Sequence, residues 1–222
     1  MTRQQHPKVV VLISGNGSNL QAIIDASQSQ LPIEISAVIS NRSDAYGLQR
    51  ASAAAIETAV LEHQTFADRA DYDQALIELI DRYQPELVVL AGFMRILTPP
   101  FVRHYAGRLF NVHPSLLPRH TGLQTHKRAL EAGDQLHGVS VHFVTEELDG
   151  GPLIAQAQVT VLPEDDPQSL AARVLEKEHQ LYPLVLSWFA QKRLKLNETG
   201  EVILDDEKLL QPVVFAPQDP IQ

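Results

Sequence analysis

The sequence predicts an α/β fold, a doubly wound, mostly parallel sheet in a single domain. Three observations point to it. Short β-branched runs alternate with longer helical stretches between Lys8 and Tyr182. The most apolar runs are continuous, as in strands buried on both faces. The length, 222 residues, suits one large domain or one domain with a tail. Strand–helix alternation implies right-handed crossovers between parallel strands. Such sheets place ligands at the carboxyl ends of their strands.

Each element has its own reason. Lys8–Ser14 (KVVVLIS) is an unbroken apolar run and reads as a buried strand. Asn19–Ala26 comes next as a helix, and Ile33–Ser40 is the next strand. Ala45–Ala55 is alanine-rich and helical, with Thr58–Leu61 a short strand after it. Asp68–Tyr83 sets Tyr72, Leu76, Leu79, Ile80 and Tyr83 at helical spacing. Leu87–Leu90 (LVVL) is a second central strand, and Leu109–His113, Val139–Val144 and Leu153–Val161 read as further ones. Asp166 offers an N-cap with Pro167 at the first helical position. That helix runs toward Tyr182, where Pro183 is expected to kink or end it. Beyond Lys195 there is no strong period, and Pro212, Pro217 and Pro220 punctuate the chain. The expected division is therefore a domain over residues 1–195 and a tail over 196–222 of no assigned role.

Composition excludes several classes. Hydrophobic residues at 44% and charged residues at 20% rule out a disordered chain. A net charge of −9 argues against nucleic acid as partner, because that needs clustered Lys and Arg. The absence of cysteine removes disulfides, thiolate metal sites and cysteine nucleophiles together. No apolar run reaches the ~18–20 residues of a membrane span, and the run Val9–Ile13 is too short for a signal peptide. A cytoplasmic protein without a membrane partner is expected.

Three segments are candidates for chemistry, each with a purely structural alternative. Ser14–Asn19 (SGNGSN) links the first strand to the first helix. Glycine allows a sharp turn and a close approach to an anion, and a helix start aims N–H groups at it. The dinucleotide pattern would want glycine where Leu20 stands, and a Walker loop would want Gly-Lys-Ser/Thr. The turn thus suits one phosphate group, or it is a tight connection with no ligand. The second segment is Leu109–Pro114 (LFNVHP). It puts Asn111 and His113 on one face of a strand end, an amide donor beside a group that moves protons near neutral pH. Thr145–Pro152 (TEELDGGP) carries Glu146, Glu147 and Asp149 ahead of a Gly-Gly turn. It is either a catalytic loop or a solvated acidic one. His104, His120, His126, His137, His142 and His179 are scattered, and no H-E-x-x-H spacing occurs, so no metal is expected. Without a G-x-S-x-G elbow or a cysteine, direct acyl transfer is favoured over an acyl-enzyme.

Five motifs occur in order: Ser14–Asn19, Leu90–Leu97 (LAGFMRIL), Asn111–Pro118 (NVHPSLLP), Gly138–Phe143 (GVSVHF) and Glu147–Pro152 (ELDGGP). Over residues 8–195 the chain closely resembles the folate-dependent phosphoribosylglycinamide formyltransferases of purine synthesis. The resemblance implies a Rossmann-like formyltransferase fold. It also implies transfer of a formyl group from 10-formyltetrahydrofolate, as cosubstrate, to the amine of glycinamide ribonucleotide. It implies Asn111, His113 and Asp149 as the catalytic trio. The turn residues Asn16, Gly17, Ser18 and Asn19 would hold the substrate phosphate, and Glu178 the ribose region. Arg69, Met94, Arg95, Ile96, Leu97 and the loop Val144, Thr145, Glu146, Glu147, Leu148, Asp149 match the folate pocket, with Asn111 adjoining it. Partners would be small molecules, and the chain a monomer or weak homodimer.

Two positions depart from the family pattern. After Pro118, His120 stands where an aromatic is common, and Gln124 where some relatives have histidine. By the same resemblance Asn111 would steady the oxyanion. His113 would serve proton transfer to the leaving nitrogen, and Asp149 would orient and charge His113. Methionyl-tRNA formyltransferases add a tRNA-binding domain and formyltetrahydrofolate deformylases a regulatory one. The short tail, the acidic charge and the early first strand favour neither. A non-catalytic folate- or nucleotide-binding module is the rival from another class.

Overall fold

The computed structural model describes residues 6–221. They fall into two compact units, one ending at Phe110 and the other beginning at Asn111. The central sheet is mostly parallel and flanked by helices.

The first unit is built from β1 (Lys8–Ile13), α1 (Ser18–Ser27), β2 (Glu34–Ser40), α2 (Tyr46–Ala53), β3 (Thr58–Val60), α3 (Arg69–Asp81), β4 (Leu87–Leu90) and α4 (Pro99–His104). Its strand order is β3-β2-β1-β4, with every pair parallel. β1 is central, and Val9 to Ile13 have no exposed surface, as the unbroken apolar run required. The Asp68 carboxylate caps α3 by accepting the Asp71 N–H at 2.9 Å. Pro99 and Pro100 open α4, a helix the sequence does not announce because six residues are too few for a period.

β5 (Leu109–His113) carries the chain into the second unit. The next elements are α5 (Thr125–Glu131), β6 (Leu136–Phe143), β7 (Leu153–Thr160) and α6 (Pro167–Ala190). The last are β8 (Leu194–Leu196), β9 (Val202–Leu204), β10 (Glu207–Lys208) and β11 (Val213–Phe215). The order here is β5-β6-β7-β11. β6 and β7 are antiparallel, and β11 adds a parallel edge to β7. β8, β9 and β10 form a separate antiparallel sheet.

One expectation narrows, and the segment after residue 195 gains detail. Pro183 does not end α6, which continues to Ala190 with Pro183 buried inside it. The boundary at residue 195 falls within β8, and β9, β10 and β11 lie beyond it. Each of those strands is two or three residues long, too short to show an alternation. Among the described residues no helix is long and apolar enough to cross a membrane.

Candidate active site

The second unit holds Asn111, His113 and Asp149, and sets the last two 3.6 Å apart. His113 ends β5, with a side chain only 8% exposed. Its Nδ1 lies 3.6 Å from Asp149 Oδ1, and its Nε2 lies 3.0 Å from the His120 carbonyl oxygen. A carbonyl only accepts, so Nε2 donates there, and the carboxylate faces the other nitrogen.

Asp149 reaches this place through an unusual backbone. Its φ is +54°, the left-handed region, and Oδ2 accepts the Gly122 N–H at 2.7 Å. The turn behind it closes tightly, since the Phe143 N–H donates to the Pro152 carbonyl at 3.0 Å. A Cβ on Gly151 would lie 1.8 Å from the Phe143 carbonyl oxygen, so only glycine fits. The same loop sets out Val144 and Thr145 half-buried and Glu146, Glu147 and Leu148 exposed.

The segment after β5 is held by buried polar groups. Ser140 Oγ donates to the Ser115 carbonyl at 2.7 Å and accepts the Leu117 N–H at 3.0 Å. Gln156 Nε2 donates to the Leu117 carbonyl at 2.8 Å. The departing residues sit where the backbone turns: His120 has φ +55° and Gln124 φ +57°. His120 Nε2 pairs with Asp134 Oδ2 at 2.7 Å, and Arg119 also binds that carboxylate. His126 Nδ1 and His137 Nε2 are 3.1 Å apart. Burial pushes both rings below the usual histidine range, His137 to about 4.

Sequence reasoning passed over His142. It is 2% exposed on β6, and its Nε2 lies 3.2 Å from Asn111 Nδ2. Its Nδ1 lies 2.8 Å from the Phe143 carbonyl oxygen. Burial lowers its pKa, against the Phe143 carbonyl and Asp149, which favour the charged ring. The signals in the sequence were the GVSVHF motif and the alternation that sets Ser140 and His142 on one face of a strand. Glu178 lies on the buried stripe of α6 with Leu170, Val174, Leu181 and Val185, a carboxylate at an apolar position.

The first unit holds the other candidates. Gly17 has φ +73°, and a Cβ there would lie 2.7 Å from Gly47 Cα. α1 begins at Ser18 with no side-chain cap. First-turn N–H groups of a helix are the ones that receive an anion. Arg50 braces the turn from α2, donating from Nε to the Asn16 carbonyl at 2.9 Å and from Nη2 to Asn16 Oδ1 at 3.0 Å. Asn19 is buried. The strand-end loop is tied to the same place. The Met94 N–H donates to Ser14 Oγ at 2.8 Å, and that hydroxyl donates to Asn41 Oδ1 at 2.6 Å. Met94 and Ile96 are exposed, Leu97 is buried, and Arg95 stacks 5.2 Å over the Tyr72 ring. Arg69 is exposed at the start of α3.

A family model described as formyl transferase matches residues 7–186. The chain belongs to the formyl transferase family. It is 57% identical over 202 residues to the Escherichia coli phosphoribosylglycinamide formyltransferase, covering 90% of this chain and 95% of that protein. The Haemophilus influenzae enzyme of the same name is 50% identical over 192 residues, 86% of this chain and 91% of that one. The solved phosphoribosylglycinamide formyltransferase of Coxiella burnetii superposes with a TM-score of 0.91 at 55% identity, covering 95% of this chain and 99% of its own. Among the described residues no group of three or more His, Asp or Glu could hold a metal ion.

Proposed function

We propose that the chain is a phosphoribosylglycinamide formyltransferase of purine synthesis. It moves the formyl group of 10-formyltetrahydrofolate to the primary amine of N1-(5-phosphoribosyl)glycinamide. The observation that carries this reading is Asp149 Oδ1 at 3.6 Å from the His113 ring, with Asn111 two residues before His113 on the same strand. Together they supply an amide donor for an oxygen gaining charge and a histidine–carboxylate pair for the protons.

Features of the strand-end loop and the α3 residues against it support a folate site there. Arg95 Nε is buried without a hydrogen-bond partner among the described residues, as are Tyr72 OH and Asp73 Oδ1. Exposed Met94 and Ile96 offer apolar surface on the same loop as Arg95. Met94, Arg95, Ile96 and Leu97, with Val144 to Asp149, would hold the folate's ring end, and Arg69 its glutamate carboxylate. When bound, the folate supplies the formyl group. Asn16, Gly17, Ser18 and Asn19 bind the acceptor's phosphate through backbone N–H groups, and Glu178 binds its ribose region.

Asn111 donates to the oxygen on which charge develops. His113 holds the proton that the departing nitrogen takes up. Asp149 orients the ring, supports its charge and receives the amine's proton through water. The protein works in the cytoplasm as a monomer or weak homodimer on small-molecule substrates. Steady-state absorbance of the folate product, with and without the acceptor, tests the reading. Turnover that requires the acceptor is expected. Turnover without it would mark a deformylase, and none with both ligands a binding module.

A further inference from the structure

His142 lies outside the trio, yet its contacts decide which way the Asn111 amide points. The Phe143 carbonyl can only accept, and His142 Nδ1 lies 2.8 Å from it, so the ring carries its proton on Nδ1. A neutral ring then presents a bare lone pair at Nε2. The ring is 2% exposed, and burial holds its pKa below the ordinary value, both of which keep it neutral. Asn111 approaches that lone pair at 3.2 Å. Only the nitrogen end of the amide can donate to it. A flipped amide would set carbonyl oxygen against lone pair.

We propose that His142 is a positioning residue: it selects the amide orientation in which Asn111 gives one hydrogen to the ring and keeps the second for the oxygen gaining charge in the reaction. This inference rests on the formyl-transfer reading of Asn111 given above. Because one carbonyl sets the tautomer and the tautomer sets the amide, the donor is preorganised before any ligand arrives. Without the ring, the two amide orientations compete and the donor is present part of the time.

The test uses the full chain. His142→Leu keeps an apolar body of similar size in the buried place but removes the acceptor. His142→Gln restores an acceptor through Oε1. A lost hydrogen bond of ordinary strength corresponds to roughly a 2–10-fold change, so His142→Leu is expected to lower kcat by about ten-fold while both KM values stay within about three-fold. His142→Gln recovers most of that loss. In an Asn111→Ala background His142→Leu changes kcat by less than about two-fold, since its target is gone. An unchanged kcat in His142→Leu, an equal loss in both backgrounds, or a Gln variant as impaired as the Leu variant overturns the proposal. Nitrogen-15 NMR of the histidine rings in the wild-type protein reads the same point without turnover. A protonated Nδ1 and bare Nε2 on His142 are expected, and the opposite tautomer or a doubly protonated ring overturns it. Absence of wild-type formyl transfer would count against the function instead, and the NMR result would still decide the tautomer.

Discussion

Gly17 meets two demands that no other residue meets together. Its φ of +73° lies in the left-handed region, and a Cβ would come within 2.7 Å of the Gly47 backbone. The left-handed conformation alone costs a non-glycine residue roughly 1–2 kcal/mol. Gly17→Ala is therefore expected to displace the turn rather than the sheet. The KM for the phosphorylated acceptor should rise by about ten-fold or more while folate affinity stays within a few-fold, measured by steady-state kinetics and folate titration. Equal weakening of both ligands would detach the turn from the phosphate. Residues of this kind were legible in the sequence, because SGNGSN sits between a strand and a helix. His142 was not, because its part depends on a Phe143 carbonyl and an Asn111 amide that only the folded strands bring near. Nor could spacing show that the His120 backbone, rather than its side chain, meets His113.

At the scale of elements, α6 shows local signals and packing in competition. Asp166 accepts the N–H groups of Gln168 and Ser169, at 2.9 and 2.7 Å, and Ser169 Oγ accepts the Asp166 N–H in return. That box fixes the start of the helix as Asp166-Pro167 foretold. Asp166→Ala should cost about 1 kcal/mol of stability, read as a lower denaturation midpoint at unchanged m-value, with kcat preserved. An unchanged midpoint would show the cap to be idle. At the other end, a helix-interior proline costs ~3 kcal/mol. Continuing past it buries Val185, Leu186 and Trp188, worth ~1.5–3 kcal/mol each, so packing wins. Long buried strands such as β1 were plain in the sequence. The short elements α4, α5 and β8 to β11 were not, since they hold too few residues for a period and owe their form to neighbours.

For the whole molecule, every residue assigned to chemistry precedes Lys195, while β11 pairs with β7 through Val213, Val214 and Phe215. A chain ending near Lys195 should keep most of its kcat per folded molecule. It should melt at lower temperature, because it loses that edge and the β8–β10 sheet. A folded truncation without turnover would move the tail into the site. In the proposed mechanism formyl transfer depends on charge at one carboxylate, with Asp149 held by the Gly122 N–H and set 3.6 Å from His113. Asp149→Asn retains the size and most of the hydrogen bonding but removes that charge. The decisive quantity is kcat of this variant with both ligands saturating. A fall on the order of 10²-fold or more is expected, with KM values little changed. A kcat within a few-fold of wild type in a folded Asp149→Asn protein would contradict a charge-dependent histidine–carboxylate pair.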